Sequence, residues 1–350
     1  MSPSRFPSRF LSLIALFNYV LPQSNASPTP ASAVQHVHVP RSAQPASVDD
    51  IVDTLLVGNG SSNPEMESQM KDKASSVTVL SQSEISAFAP FTHYASTAYC
   101  DPTTTINWSC GANCDANPSF EPIASGGNGG TEQFWYVGYD PTLDTVIVAH
   151  QGTDTSMLAA VATDANFLFS PLSLEPDLFP GISPTVLVHS GFRISHKNSA
   201  AEILNATQTA MEQFDTTHVT VVGHSLGAAL ALLEMVYLPL HLPETTTFDM
   251  YGYGMPRVGN KAFADYVDAN VIGHVRRVNN KKDIVPVIPL RLMGFRHPSG
   301  EKHITESGEW VACSGQENTD AQCTLGTVPT IFNGDAGDHS GPYDGIEMGC

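Results

Sequence analysis

The sequence predicts an α/β fold in which a mostly parallel central sheet is covered by helices. Three observations carry that expectation. From Tyr136 onward, short β-branched runs alternate with helical patterns, the mark of βαβ units. One of those runs turns directly into a helix through a Gly-x-Ser-x-Gly motif, and the 350 residues, 41% hydrophobic and 15% charged, suffice for a large core.

In chain order, Thr145–His150 is the first strand of the pattern, followed by a helix from about Arg193 to Phe214 and a strand at His218–Gly223. A helix over Leu226–Leu238 comes next. Then follow a strand at Phe248–Gly254, a helix near Asn260–Ala269 and a strand at His274–Asn279. Beyond it the chain becomes irregular and hairpin-like through Trp310–Cys313. A parallel sheet with helices on its faces is the expected centre. The one strong break in composition lies before Val77, so a single domain over residues 77–350 is expected.

Residues 1–26 read as a secretory signal: Arg5 and Arg9, an apolar stretch from Phe10 to Leu21, then Ser24 and Ala26 at a cleavage site. About 12 apolar residues fall short of the roughly 20 that a spanning helix needs. The other apolar stretch, Leu226 to Leu242, carries Glu234 and is broken by Pro239. A secreted, extracellular protein without an integral membrane segment is therefore expected. Residues 27–76, rich in Ser, Pro and Ala, read as a propeptide or disordered tail with a short helix possible at Val48–Val57. Sequons stand at Asn59, Asn107 and Asn205. The formal charge of −19 argues against a nucleic-acid partner. Six cysteines suit bridges on a domain that folds mainly through its core.

The motif is GHSLG at Gly223–Gly227, set between the strand HVTVV and the helical AALALLEMVYL. Glycines on both sides allow a tight elbow that exposes the Ser225 oxygen and leaves the Leu226 amide free at the helix N-terminus, where it can donate to an oxyanion. An ordinary N-capping serine in a glycine-rich turn is the competing reading. A serine hydroxyl needs a histidine to take its proton and a carboxylate to orient that histidine. Asp283 lies just past a strand end in NKKDIVPVIP, and His339 lies in the Gly- and Asp-rich GDAGDHSGPYDG. Asp249 and Asp268 are the alternative acids, and His274, His297 and His303 the alternative bases. His224 is expected to pack or hydrogen-bond beside the nucleophile, and Asp338 to cap its loop.

GHSLGAALA at Gly223–Ala231, YGYGMPRVGN at Tyr251–Asn260, VHSGF at Val188–Phe192 and DHSGPY at Asp338–Tyr343 occur in the order found in the filamentous-fungal triacylglycerol lipases, lipase class 3, and the chain resembles that family from about Val77 to Cys350. The resemblance implies an α/β-hydrolase fold with a short helical lid and Ser225, Asp283 and His339 as a triad. It also implies an oxyanion hole at Thr153, from HQGT in place of the family's R-G-S/T, together with Leu226. Gln151 replaces the family's arginine, and Thr153 could instead be a plain turn residue. Cysteine pairs Cys100–Cys350, Cys110–Cys114 and Cys313–Cys323 follow from the family pattern, against a zinc site for which no Cys-His cluster exists. The family's lid position falls on Met157, Leu158, Val161 and Ala162, although the familiar lid tryptophan is missing and a buried helix is the competing reading. Phe167, Ile284, Val285, Val287, Ile288, Leu290 and Leu292 are candidates for an acyl wall and could equally be core. The expected function is a secreted triacylglycerol lipase acting through an acyl-serine at an oil–water interface, with no metal or cofactor and no protein partner implied. A feruloyl or other carboxylesterase of the same family is the alternative, and a catalytically silent surface-binding glycoprotein the alternative of another class.

Overall fold

Runs such as TVIVAH and VTVV bury residues on both sides of each strand, and this places them at the centre of a sheet covered on both faces. The computed structural model of the protein describes residues 77–153, 168–271 and 274–350. Thirteen strands are found among these residues. They are β1 (Val77–Val79), β2 (Glu121–Gly126), β3 (Trp135–Asp140), β4 (Thr145–His150), β5 (Phe169–Pro171), β6 (Leu187–His189), β7 (His218–His224), β8 (Thr247–Tyr253), β9 (Gly259–Asn260), β10 (His274–Asn280), β11 (Phe295–Arg296), β12 (Glu301–Ile304) and β13 (Trp310–Cys313). Nine form one sheet in the order β1-β13-β12-β10-β8-β7-β4-β3-β2, and the other four a small sheet, β11-β9-β6-β5. Strands β4, β7, β8, β10 and β12 are mutually parallel, and antiparallel strands close both edges.

Alternation along the central strands divides the core in two. Val146, Val148, Val219 and Val221 face Ile203, Ala206, Leu232 and Leu233 on one side. Ile147, Ala149 and Val222 face Phe91, Tyr94, Tyr136 and Tyr251 on the other. Helices α1 (Ala89–Thr97), α2 (Ser190–Phe214) and α3 (Leu226–Tyr237) supply these partners apart from Tyr136 and Tyr251, which lie on β3 and β8, and α4 (Lys261–Asn270) adds Phe263 and Val267 to the first side. Every residue of α3 from Gly227 to Tyr237 is buried, which explains its nearly uniform apolar sequence. Helix α2 starts at Ser190, three residues before the expected boundary, because His189 caps it by accepting from the Phe192 amide, and it stops at Asp215 in the left-handed region. Asn260 caps α4 in the same way.

Apart from the expected lid helix, which lies outside the described residues, the expected strands and helices between Thr145 and Asn279 are present with ends shifted by up to three residues. Not expected from the sequence were β1–β3, β12, helix α1 and the small sheet. Strands of two or three residues such as β9 and β11 are too short for a period to show. Three disulfides join Cys100 to Cys350, Cys110 to Cys114 and Cys313 to Cys323. Among the described residues, no helix is long and apolar enough to cross a membrane. The signal and tail over residues 1–76, with the Val48–Val57 helix and Asn59, lie outside the described residues, as do Met157, Leu158, Val161, Ala162 and Phe167 of the expected lid and acyl wall. Asn107 and Asn205 are both exposed.

Candidate active site

The turn from β7 into α3 holds Ser225 at φ 58° and ψ −126°, a backbone conformation that L-residues rarely adopt. The Ser225 amide is fixed by donating to the Tyr253 carbonyl at 2.8 Å, continuing the β7–β8 pairing past its last residue. Only glycine fits at 223, since a Cβ there would come within 2.3 Å of the Gly227 carbonyl oxygen. Immediately after Ser225 the α3 N-terminus presents the amides of Leu226 and Gly227, which have no partner within a helix that begins there. The sharp elbow thus sets a hydroxyl-bearing side chain beside a partial positive charge.

Asp283 sits in a tight turn beyond β10, its amide donating to the Asn280 carbonyl at 2.9 Å. One carboxylate oxygen accepts from the Val285 amide at 2.8 Å, and the other meets His339 Nδ1 at 2.8 Å. Both side chains are buried, at 1% and 0% exposure. A hydrogen bond to Asp283 places the His339 proton on Nδ1, so Nε2 on the far side of the ring is available as a base. That Nε2 is buried and has no hydrogen-bond partner among the described residues.

The histidine is held from behind as well. His339 lies in a 3-10 turn, Ala336–Ser340, and its carbonyl accepts from His224 Nε2 at 2.8 Å and from the Tyr343 hydroxyl at 2.9 Å. Tyr99 lies 2.6 Å from His224 Nδ1, so the chain of bonds runs from the Tyr99 hydroxyl through a neutral His224 to His339. Burial first, and the neighbouring His339 second, lower the His224 pKa well below its usual value. Neutrality is what this relay requires, because Nδ1 must accept. His224 is therefore a hydrogen-bonding residue, as expected. The expectation for Asp338 needs correction: Asp335 caps the turn by accepting from the Gly337 amide, and Asp338 accepts instead from the Lys282 amide, tying the His339 turn to the Asp283 turn. Its own carbonyl accepts from Asn280 Nδ2.

The rival acids and bases are committed elsewhere. Asp249 is engaged by Arg276 at 2.7 Å, His218 at 3.1 Å and His274 at 3.2 Å. Asp268 binds Ser299 and Gln316. His297 is buried against the Pro286 carbonyl, and His303 bridges the carbonyls of Lys281 and Gln322.

Past the end of β4, Gly152 packs directly on the elbow: a Cβ there would come within 2.2 Å of the Tyr99 hydroxyl and 3.0 Å of Ser225 Cβ. Thr153, the next residue, is half-buried at this junction. Gln151 exchanges hydrogen bonds with the Phe134 backbone, its amide to the carbonyl at 2.8 Å and its side-chain oxygen to the amide at 2.9 Å. An amide in place of the family's arginine thus prolongs the β3–β4 pairing and fixes the strand end. Of the expected acyl wall, Val285, Val287 and Ile288 are buried and Ile284 is half-buried. Val287 lines a cleft of about 890 Å³ with Leu290, Leu292, Leu325, Ile331 and Phe332. The sequence reading missed Tyr99, Gln151 and Tyr343 as supports; Tyr343 stood in the DHSGPY motif, but nothing in its spacing showed where the hydroxyl would reach.

Comparison with known proteins gives the family. The family model described as lipase (class 3) matches residues 147–293, a span that includes the elbow and Asp283. A Malassezia globosa protein named secreted mono- and diacylglycerol lipase MDL4 is 32% identical over 206 residues, 58% of this chain and 65% of its own length. The chain therefore spans just under two thirds of that relative. A Gibberella zeae protein named secreted mono- and diacylglycerol lipase 3 is 30% identical over 272 residues, 74% of this chain and 82% of its own. The solved structure of lipase II from Rhizopus niveus superposes with a TM-score of 0.68 at 30% identity, covering 78% of this chain and 99% of that one. The elbow, the ordered motifs and these likenesses together place the chain in the class 3 lipase family, on an α/β-hydrolase fold.

Proposed function

We propose that the protein is a secreted serine ester hydrolase that cleaves acylglycerols through an acyl-serine intermediate. The observation that carries this reading is the buried Asp283–His339 pair, with one imidazole nitrogen left unbonded, in a fold whose nucleophile elbow holds Ser225. In the proposed reaction His339 Nε2 removes the Ser225 proton as the oxygen attacks the ester carbonyl. The amides of Leu226 and Thr153 stabilise the oxyanion, and the protonated His339 then delivers its proton to the leaving alcohol. Water, activated by the same histidine, releases the fatty acid and restores Ser225. Asp283 stabilises the imidazolium formed in both halves of the cycle. The chemistry is complete with these side chains and amides.

Relatives named as secreted mono- and diacylglycerol lipases support both export and a glyceride substrate. A cleft beside the segment following Asp283, walled by Val287, Leu290, Leu292, Leu325, Ile331 and Phe332 with Arg257, Arg291 and Arg296 also in its lining, supports a fatty-acyl chain as the acyl group. The test is the initial rate on mono-, di- and tributyrin from below to above their solubility limits, with Ser225→Ala as the blank. Hydrolysis above the blank is expected, and a rise in rate when emulsion forms marks action at the lipid–water interface. Hydrolysis of feruloyl esters with none of these glycerides would overturn the substrate assignment.

A further inference from the structure

A second cluster of titratable side chains lies inside the core, away from Ser225. Glu234 on α3 is fully buried, and one of its carboxylate oxygens lies 3.2 Å from His196 Nε2 on α2 and 3.6 Å from His150 Nε2 at the end of β4. The three side chains are exposed by 1% or less. Among the described residues, neither carboxylate oxygen has a hydrogen bond of good geometry, and neither do His196 Nδ1, His196 Nε2 or His150 Nε2, so these atoms are in close approach without a partner outside the cluster. The rings of Phe179 and Tyr237 flank His196, with centroids 5.5 Å and 5.2 Å away. The Tyr237 hydroxyl borders the cluster, and burial and Glu234 push its pKa up to about 12.

A carboxylate in such a place is costly unless a proton is held between it and its neighbours. Two imidazoles and one carboxylate sharing a single extra proton are neutral overall, which is the low-cost state for a dry site. Burial works against placing that proton on His150, whose pKa falls to about 4, despite the opposing pull of Glu234. His196, at the shorter distance, is the natural partner.

The placement matters because β4 and α3 carry the two halves of the oxyanion site. They already touch at one point, where a Cβ on Gly227 would come within 2.2 Å of the His150 carbonyl oxygen. Glu234 follows Gly227 by seven residues, about 10 Å along the helix. Helix α3 therefore approaches the same residue, His150, twice: at its first turn, where Gly227 packs on the His150 carbonyl, and two turns on, where Glu234 lies 3.6 Å from the imidazole. One contact alone is a pivot; two contacts set an angle. Leu226 lies on the helix side of that pivot, and Gly152 and Thr153 follow His150 on the strand side.

We propose that Glu234, with His196 and His150, is a proton-sharing brace that sets the spacing of the two oxyanion donors, making Glu234 a positioning residue for turnover. This rests on the hydrolase reading of Ser225. Glu234→Gln keeps the shape and removes the charge. Its kcat on p-nitrophenyl butyrate, normalised to sites titrated with a fluorophosphonate so that unfolded protein does not count, is expected to fall about tenfold with KM within about twofold, since misplacement by an ångström costs about a hundredfold. In histidine 15N spectra at pH 7, one imidazolium signal of the parent is expected to vanish in the variant. The triple replacement His150→Phe, His196→Leu and Glu234→Leu refills the site with apolar groups and serves if the single variant does not fold; its kcat per titrated site is expected to stay low. The proposal is overturned if kcat per titrated site stays within twofold of the parent in whichever variant folds, or if the histidine spectra show no shared proton. Should the parent neither take the label nor hydrolyse the ester, the reading of Ser225 fails instead, and the spectra decide the brace by themselves.

Discussion

His339 shows how much of the site depends on single side chains outside the three expected from the sequence. Two donors, His224 Nε2 and the Tyr343 hydroxyl, converge on its backbone carbonyl, while Asp283 holds its ring. Tyr343→Phe removes one donor and leaves the ring packing against Tyr253 and His224. A loss of about 1 kcal/mol in stability is expected, with a several-fold fall in kcat and little change in KM; denaturant titration and steady-state kinetics check the two effects. Asp283→Asn, which would present an amide to Nδ1 and favour the wrong tautomer, is expected to lower kcat by about 10⁴-fold, as read against soluble esters. The Ser225 elbow and the Asp283–His339 pair could be anticipated because an elbow and two loop-borne polar residues leave marks in local sequence. Their supports were not. Tyr99 is placed by a contact with His224, 125 residues away, and Gln151 by the backbone of the neighbouring strand end, and no period or motif records such contacts.

At the scale of elements, the segment that follows Asp283 is anchored by one buried ion pair. Arg257, after β8, donates from two nitrogens to the two carboxylate oxygens of Glu317 at 2.8 and 2.9 Å and also reaches the carbonyls of Val287 and Pro289. Burial pushes the Glu317 carboxyl upward, but hydrogen bonds and charge from Arg257 and His297 outweigh it and bring the pKa down from 4.5 to about 2. A lowered carboxyl pKa means that the folded state holds its proton less tightly than the unfolded chain. The stabilisation is thus complete above the unfolded value and is lost as pH falls toward 2. Glu317→Gln is expected to destabilise the protein by about 3 kcal/mol near neutral pH, and the gap from the parent should close as pH falls through the range 4.5 to 2. Chemical denaturation at several pH values measures this; a gap that does not change with pH would contradict it. Pairs of this kind are invisible in sequence, because Arg257 and Glu317 are 60 residues apart. Parallel strands such as β4 and β7 were legible for the opposite reason: runs such as TVIVAH are apolar on both faces whatever their partners, whereas the polar β12, EKHI, and the small sheet of β5, β6, β9 and β11 exist only through tertiary pairing.

Over the whole molecule, the Cys100–Cys350 bridge closes a loop with a sequence separation of 250 residues and ties the segment after α1 to the last residue. Around it, Ser96 and Asn113 bind the carbonyl of Gly349. Closing a loop of that length stabilises by about 5 kcal/mol on chain-entropy grounds. Replacing both cysteines with serine is expected to lower Tm by about 10 °C or more while leaving the geometry around Ser225 and thus kcat at low temperature largely unchanged; calorimetry beside a low-temperature assay separates the two. The central claim is narrower than stability and concerns one oxygen atom. Treating the folded protein with a fluorophosphonate and mapping the adduct by peptide mass spectrometry tests it most directly. Modification of Ser225 alone, abolished in Ser225→Ala and slowed at least a thousandfold in His339→Ala, is the predicted result. Labelling elsewhere, or labelling of Ser225 that does not depend on His339, would contradict the account.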